Sequence, residues 1–154
     1  MIASHRSGEA GFVAGLESLA FGVLVFVLGT LAVVNAWAVI DAKFATSAAA
    51  REAVRAAVES PDAGAQPARA EAAARAALAG HGLEHPAQIV PVVVGLARCQ
   101  EVAYRVRTEV PALLLPGITA RVRPFVVSSE HREVVDPYRS GLAVTQGEAP
   151  ACGF

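Results

Sequence analysis

Charge of either sign is absent from Ser18 to Ile40, a run of twenty-three residues that begins directly after Glu17 and stops directly before Asp41. A surplus of positive charge is absent as well. Thirteen Lys and Arg stand against fourteen Asp and Glu, so the chain has none of the basic field that a nucleic-acid partner requires. Lysine is reduced to Lys43, the other twelve basic residues being arginine. Cysteine is reduced to Cys99 and Cys152, which match no metal spacing such as C-x2-C. No phosphate loop, no H-E-x-x-H and no G-x-S-x-G occurs. These absences leave no catalytic, cofactor or metal constellation, and the expectation is a protein that is not an enzyme.

What is present begins with the uncharged run itself. At 1.5 Å per residue a helix of that length measures about 35 Å, against roughly 30 Å for the hydrocarbon core of a bilayer. The run therefore reads as a single membrane span, 18–40, in contact with lipid, with a short N-terminal cytoplasmic segment, 1–17, and one domain, 41–154. A buried core helix is the competing reading, but soluble helices of this length carry a polar face. A cleaved secretory signal is the other. Such signals have a basic leader and an apolar stretch of about 7 to 15 residues. Here the leader MIASHRSGEAGFVAGLE holds one arginine and two glutamates, and the run is longer.

The helix should not stop at the membrane surface. DAKFATSAAAREAVRAAVES has no proline or glycine and consists mostly of strong helix formers, so the helix is expected to reach about Glu59. Arg55 and Glu59 at i,i+4, and Glu52 and Arg55 at i,i+3, suit a solvated face. Ser60-Pro61-Asp62-Ala63-Gly64 ends the helix. Pro67 then fits the first turn of a second, alanine-rich helix closed by Gly80 and Gly82.

From Gln88 the pattern changes. IVPVVV is a short β-branched run and GLAR a turn. Val102, Tyr104, Val106, Thr108 and Val110 alternate with Ala103, Arg105, Arg107 and Glu109, the period of a strand with one buried face. PALLLPG connects this strand to ITARVRPFVVSS, where Ile118, Ala120, Val122 and Val126 alternate and Pro124 marks an edge or a bulge. Leu113 to Leu115 either touch a membrane or partner, or fold back onto the domain's own helix. The fold class is α+β: an N-terminal transmembrane helix extended into a small domain with a second short helix and an antiparallel sheet of about three strands.

The two cysteines are an even pair in an anchored domain and read best as a disulfide on an oxidising side, with two buried thiols as the alternative. Closing about fifty residues would contribute roughly 4 kcal/mol in the chain-entropy model. Orientation by charge points the other way. Arg6 precedes the span while Lys43, Arg51 and Arg55 follow it, and a bare positive-inside count places the C-terminal domain in the cytoplasm.

Two weaker groupings carry little. His81 and His85 stand four apart, but Gly82 and Pro86 argue against the helix that would bring them together on a metal. Ser129, His131 and Asp136 supply the residue types of a hydrolytic triad, whose members are assembled by fold rather than by proximity in sequence.

The informative grouping lies in the span. Gly15, Gly22, Gly29 and Ala36 recur every seven residues, a narrow stripe of small side chains that lets a second helix approach closely, unless glycine is simply common there. Asn35 adds a hydrogen-bonding group near the far end, and Trp37 fits an interfacial anchor. Glu17 heads the run, where a carboxylate either sits among headgroups or needs a partner.

Glu17 at the head of GLESLAFGVLVFVLGTLAVVNAWAVIDAKFA, the AAREAVRA stretch, and the strand-rich block ending SSEHREVVDPYRSG together resemble a TadE/TadG-like minor pilin. The resemblance implies a pseudopilin-like component of a tight-adherence pilus or related secretion machine. It implies a plasma-membrane anchor with the C-terminal domain outside the cytoplasm, which sides with the cysteines on orientation. It also implies that Glu17 belongs to the processing and packing signal, and that the partners are other pilin-like or pilus-assembly membrane proteins, in a homo- or hetero-oligomer formed through the helix. In one respect the chain departs from that pattern: cleavage after Gly11 would leave Glu17 sixth in the mature chain and cleavage after Gly15 second, where pilin-like signals place it fifth. The competing function is a single-pass envelope binding module whose outer sheet recognises a ligand or protein.

Overall fold

The computed structural model describes residues 9–83, 86–114 and 123–142, with the helical backbone alone for 9–17. Helix α1 runs from Glu9 to Val58 and helix α2 from Gln66 to Gly80. Strands β1 (Ala87–Val93), β2 (Glu101–Val110) and β3 (Phe125–Val134) follow. They form an antiparallel sheet in the order β1-β2-β3, so the fold is α+β as expected. The chain divides into two compact units, Ala38–Ala112 with Ala120–Phe154, and Met1–Trp37 with Leu113–Thr119.

In the larger unit, α1 buries Ala42, Ala45, Thr46, Ala49, Ala50, Ala53, Val54, Ala57 and Val58, the i,i+3,i+4 stripe of a helix with one covered face. α2 buries Gln66, Ala70, Ala74 and Leu78 at four-residue spacing. From Ala45 on, their apolar members pack with Val102, Tyr104 and Val106 of β2 and with Val135 into the main core, while Ala42 packs with Val110 and Val127 in a second, smaller cluster. The alternation expected for β2 is present, with Val102, Tyr104, Val106, Thr108 and Val110 inside; Ala103 on the other face is covered too. Because the helices contribute mostly alanine, Tyr104 is the largest fully buried side chain.

The helix ends follow local chemistry. Asp62 accepts the Ala65 N–H at 2.9 Å ahead of α2, and Pro67 lies in its first turn. At the other end the Leu83 N–H reaches the Leu78 carbonyl and the Gly82 N–H that of Ala79, with Gly82 at φ 71. This is a Schellman stop, in which glycine takes the left-handed position and Leu83 packs back onto the core. The end of α1 is closed from afar. The Arg139 guanidinium donates to the carbonyls of Val58 and Ser60, placing a cation at the negative end of the helix dipole. Arg55 and Glu59 pair at 3.3 Å, as their spacing anticipated.

β3 differs from its sequence reading. Residues 115–122, with Ile118, Ala120 and Val122, lie outside the described residues; the strand begins after Pro124 and continues through the charged stretch to Val134. Val127 pairs with Thr108 and Ser129 with Val106, so those two face the core and Val126 is exposed. β1 keeps Pro91 within an edge strand, next to a register shift between Pro91 and Val93, where the ladder tolerates a missing N–H. In the β1–β2 turn, Gly95 has φ 150 and a Cβ there would collide with the Gln100 side chain. That side chain holds the turn, bonding the Val94 carbonyl and the Ala97 N–H.

Candidate helix-packing site

The uncharged part of α1 is long and apolar enough to cross a membrane, and none of its most apolar window is buried. Leu19, Phe21, Phe26, Val33 and Trp37 are all at least 65% exposed, which in water would be a large unsatisfied apolar surface. Within the run, Thr30 is satisfied by its own helix. Thr30 donates from Oγ1 to the Phe26 carbonyl at 2.9 Å, a bond that keeps a hydroxyl tolerable in lipid.

Asn35 is satisfied differently from the expectation of a group reserved for a neighbouring helix. Its Nδ2 donates to the Leu31 carbonyl at 2.8 Å and to the Leu113 carbonyl at 3.1 Å, and its Oδ1 accepts the Leu113 N–H at 2.8 Å. The amide thus uses both ends on the backbone of the chain's own PALLLPG connection. Of the two readings of that connection, folding back onto the helix applies at Leu113. Leu113 and Leu114 nevertheless keep 50% and 39% of their surface exposed, and Leu115 lies outside the described residues.

Val27, Leu31 and Asn35 are partly buried at four-residue spacing and define the covered side of this part of α1. Gly22, Gly29 and Ala36 lie on the other side, since with about 100° per residue Gly29 stands roughly 160° around the helix from Leu31. A Cβ added at Gly22 or Gly29 would meet nothing within 4 Å, and Ala36 is exposed. At these three positions the small-residue stripe is therefore open among the described residues. The surroundings of Gly15 and the side chain of Glu17 are not among what the structure describes, although both positions lie within helical α1.

The remaining sequence candidates are dispersed. His81 caps the end of α2 and His85 is outside the described residues. Ser129 is within 3.1 Å of Thr46 Oγ1; because the Thr46 hydroxyl donates to the Ala42 carbonyl, Ser129 is the donor between the two. The Asp136 carboxylate accepts the Tyr138 N–H at 2.7 Å. Among the described residues no hydrogen bond joins Ser129, His131 and Asp136 to one another. Cys99 sits in the turn before β2 at φ 61, its N–H bonded to the Val135 carbonyl; Cys152 is outside the described residues.

On the outer face of the sheet, charges cross the strands. Arg105 reaches Glu130 at 2.5 Å, and Arg132 reaches Glu130 and Glu101, each at 2.7 Å. Hydrogen bonds from Arg105 and then Arg132 hold the Glu130 carboxyl below the usual glutamate range. At one end of the sheet Pro86, Gln88, Arg107, Glu109, Pro111 and Pro124 line an open cleft of about 680 Å³.

Fold and site together define an α+β domain carried on one lipid-compatible helix. No family model, no curated protein and no solved structure matches the chain.

Proposed function

We propose that this chain is a minor pilin or pseudopilin-like structural component of a Tad-type pilus or secretion apparatus, and not an enzyme. The observation that carries the reading is the open face of the apolar helix, where Gly22, Gly29 and Ala36 offer a close approach that the chain's own fold does not use. A helix serving only as a tether needs no such face. In this reading the chain is a single-pass plasma-membrane protein with its C-terminal domain outside the cytoplasm. Its partners are lipid and other pilin-like or pilus-assembly membrane proteins, and Glu17 contributes to packing as the resemblance implies. A Cys99–Cys152 disulfide belongs to the same placement, and the described residues contain no free cysteine.

Mild crosslinking in the native membrane, followed by purification of the intact chain, tests the reading. Other single-span pilin-like proteins should be recovered with it, and Gly22→Leu with Gly29→Leu should reduce that recovery. Recovery only of soluble envelope proteins, indifferent to both substitutions, would favour the binding module instead. That second reading rests on the cleft beside Arg107 and Glu109 and on the exposed outer sheet.

A further inference from the structure

We propose that Leu113 and Leu114 form a second membrane contact, a loop that Asn35 holds within the leaflet nearest Asp41. The inference rests on reading α1 as the membrane span. Asn35 lies five residues before Ile40, roughly 7.5 Å along the helix axis inside the uncharged run. The backbone of Leu113 is bonded to it through both its N–H and its C=O, so the loop is held at that depth.

Non-helical backbone is excluded from hydrocarbon because its polar groups go unpaired. Here Asn35 removes that objection at Leu113, and Leu113 in turn satisfies an amide that would otherwise face lipid. Trp37, two residues further along and 71% exposed, marks the interfacial level at which such a loop would lie. Both leucine side chains are left exposed, and lipid is the occupant their chemistry fits.

Trp37 is the chain's one tryptophan and serves as the gauge. The full-length protein is placed in phosphatidylcholine/phosphatidylglycerol vesicles whose acyl chains carry bromine near the headgroup end. The parent is compared with Trp37→Phe/Leu113→Trp and with Trp37→Phe/Leu114→Trp. We expect all three to emit at short wavelength and to lose most of their emission to the brominated lipid. Adding Asn35→Leu to the loop variants should restore emission. Quenched Trp37 with long-wavelength, unquenched tryptophan at 113 and 114 would overturn the loop contact and leave the span intact. Short-wavelength but unquenched emission at those positions would overturn it in favour of a protein occupant. Quenching that survives Asn35→Leu would overturn the tether. A parent protein that stays in the aqueous phase with unquenched Trp37 would remove the span reading itself.

Discussion

Asn35 and the backbone of Leu113, seventy-eight positions apart, pair in both directions, the side-chain amide of one matching the N–H and C=O of the other. The pairing joins the apolar helix to a loop that follows β2, and it spends the one amide side chain of the uncharged run on the chain itself. In the proposed reading, association with other helices then rests less on Asn35 than on shape. That shifts weight to the opposite face, where Gly22 and Gly29 are open.

Asn35→Leu should therefore insert normally while freeing the loop. Two backbone groups of Leu113 lose their partner, at about 1–3 kcal/mol each if they stay out of water. Limited proteolysis in detergent should show faster cleavage around residues 111–114. Asn35→Asp should be worse, because it removes the donor to the Leu113 carbonyl and adds charge to the run. Equal resistance of parent and Asn35→Leu would deny the pairing any energetic role.

Gly22→Leu and Gly29→Leu have the opposite profile. A Cβ at either position meets nothing within 4 Å among the described residues outside its own turn of helix, so thermal stability of the monomer should be unchanged. Helix association should weaken by about 1 kcal/mol at each position where leucine holds the neighbouring helix away. Crosslinking yield against monomer melting temperature separates the two effects, and unchanged yield would reduce the stripe to background glycine.

Much of this fold is legible in the sequence because it depends on short-range pattern. The strict alternation from Val102 to Val110 indicates β2, and the uninterrupted helix formers after Asp41 indicate a helix ending within a residue of Glu59. The alternation through Val126 puts that residue on the inner face, and spacing alone does not disclose that Glu130 and Arg132 of β3 are met across the sheet by Arg105 and Glu101. Once β3 begins after Pro124, Val127 rather than Val126 turns inward. Asn35 stands out as a polar group in an apolar run, but its partner is a backbone on a distant loop, which no spacing can disclose. The Arg139 cap on α1 is hidden for the same reason.

Tyr104 offers a test of the core. Its hydroxyl is buried without a hydrogen-bond partner among the described residues, and burial pushes its phenol above the ordinary value. Tyr104→Phe should leave stability unchanged or raise it by about 1 kcal/mol, because an unsatisfied group is removed and the ring retained. Tyr104→Ala should cost about 3–5 kcal/mol, since the surrounding alanines cannot close over the space. Denaturant titration in detergent measures both, and a marked loss in the phenylalanine variant would point to a hidden partner for the hydroxyl.

Glu130 governs the acid side of the stability profile. Its folded carboxyl is held below the ordinary value of 4.5 by Arg105 and Arg132, so the charged form is favoured by folding. The contribution is fully present above the ordinary value and is lost as pH falls through the lowered one. Arg132, raised by Glu130 and Glu101, stays charged throughout. Melting temperatures between neutral and acid pH should fall less steeply for Glu130→Gln than for the parent, and added salt should narrow the difference because the network is exposed. Identical acid limbs would show that the network adds nothing to stability.

The cysteines decide between two opposing indications of topology. Lys43, Arg51 and Arg55 beyond the span favour a cytoplasmic domain by charge count, while an even cysteine pair favours an oxidising side. If Cys99 and Cys152 are joined, the bond closes about fifty residues and adds roughly 4 kcal/mol in the chain-entropy model. It also ties the segment after Leu142 to the turn that Cys99 shares with Val135. We expect maleimide labelling of the denatured, non-reduced protein to find no free thiol, and reduction to expose two while lowering the melting temperature. In intact cells, a membrane-impermeant reductant should suffice to open the bond. Two thiols that react without reduction, and only after the cytoplasmic side is made accessible, would overturn both the bond and the orientation and would leave the basic residues as the better guide.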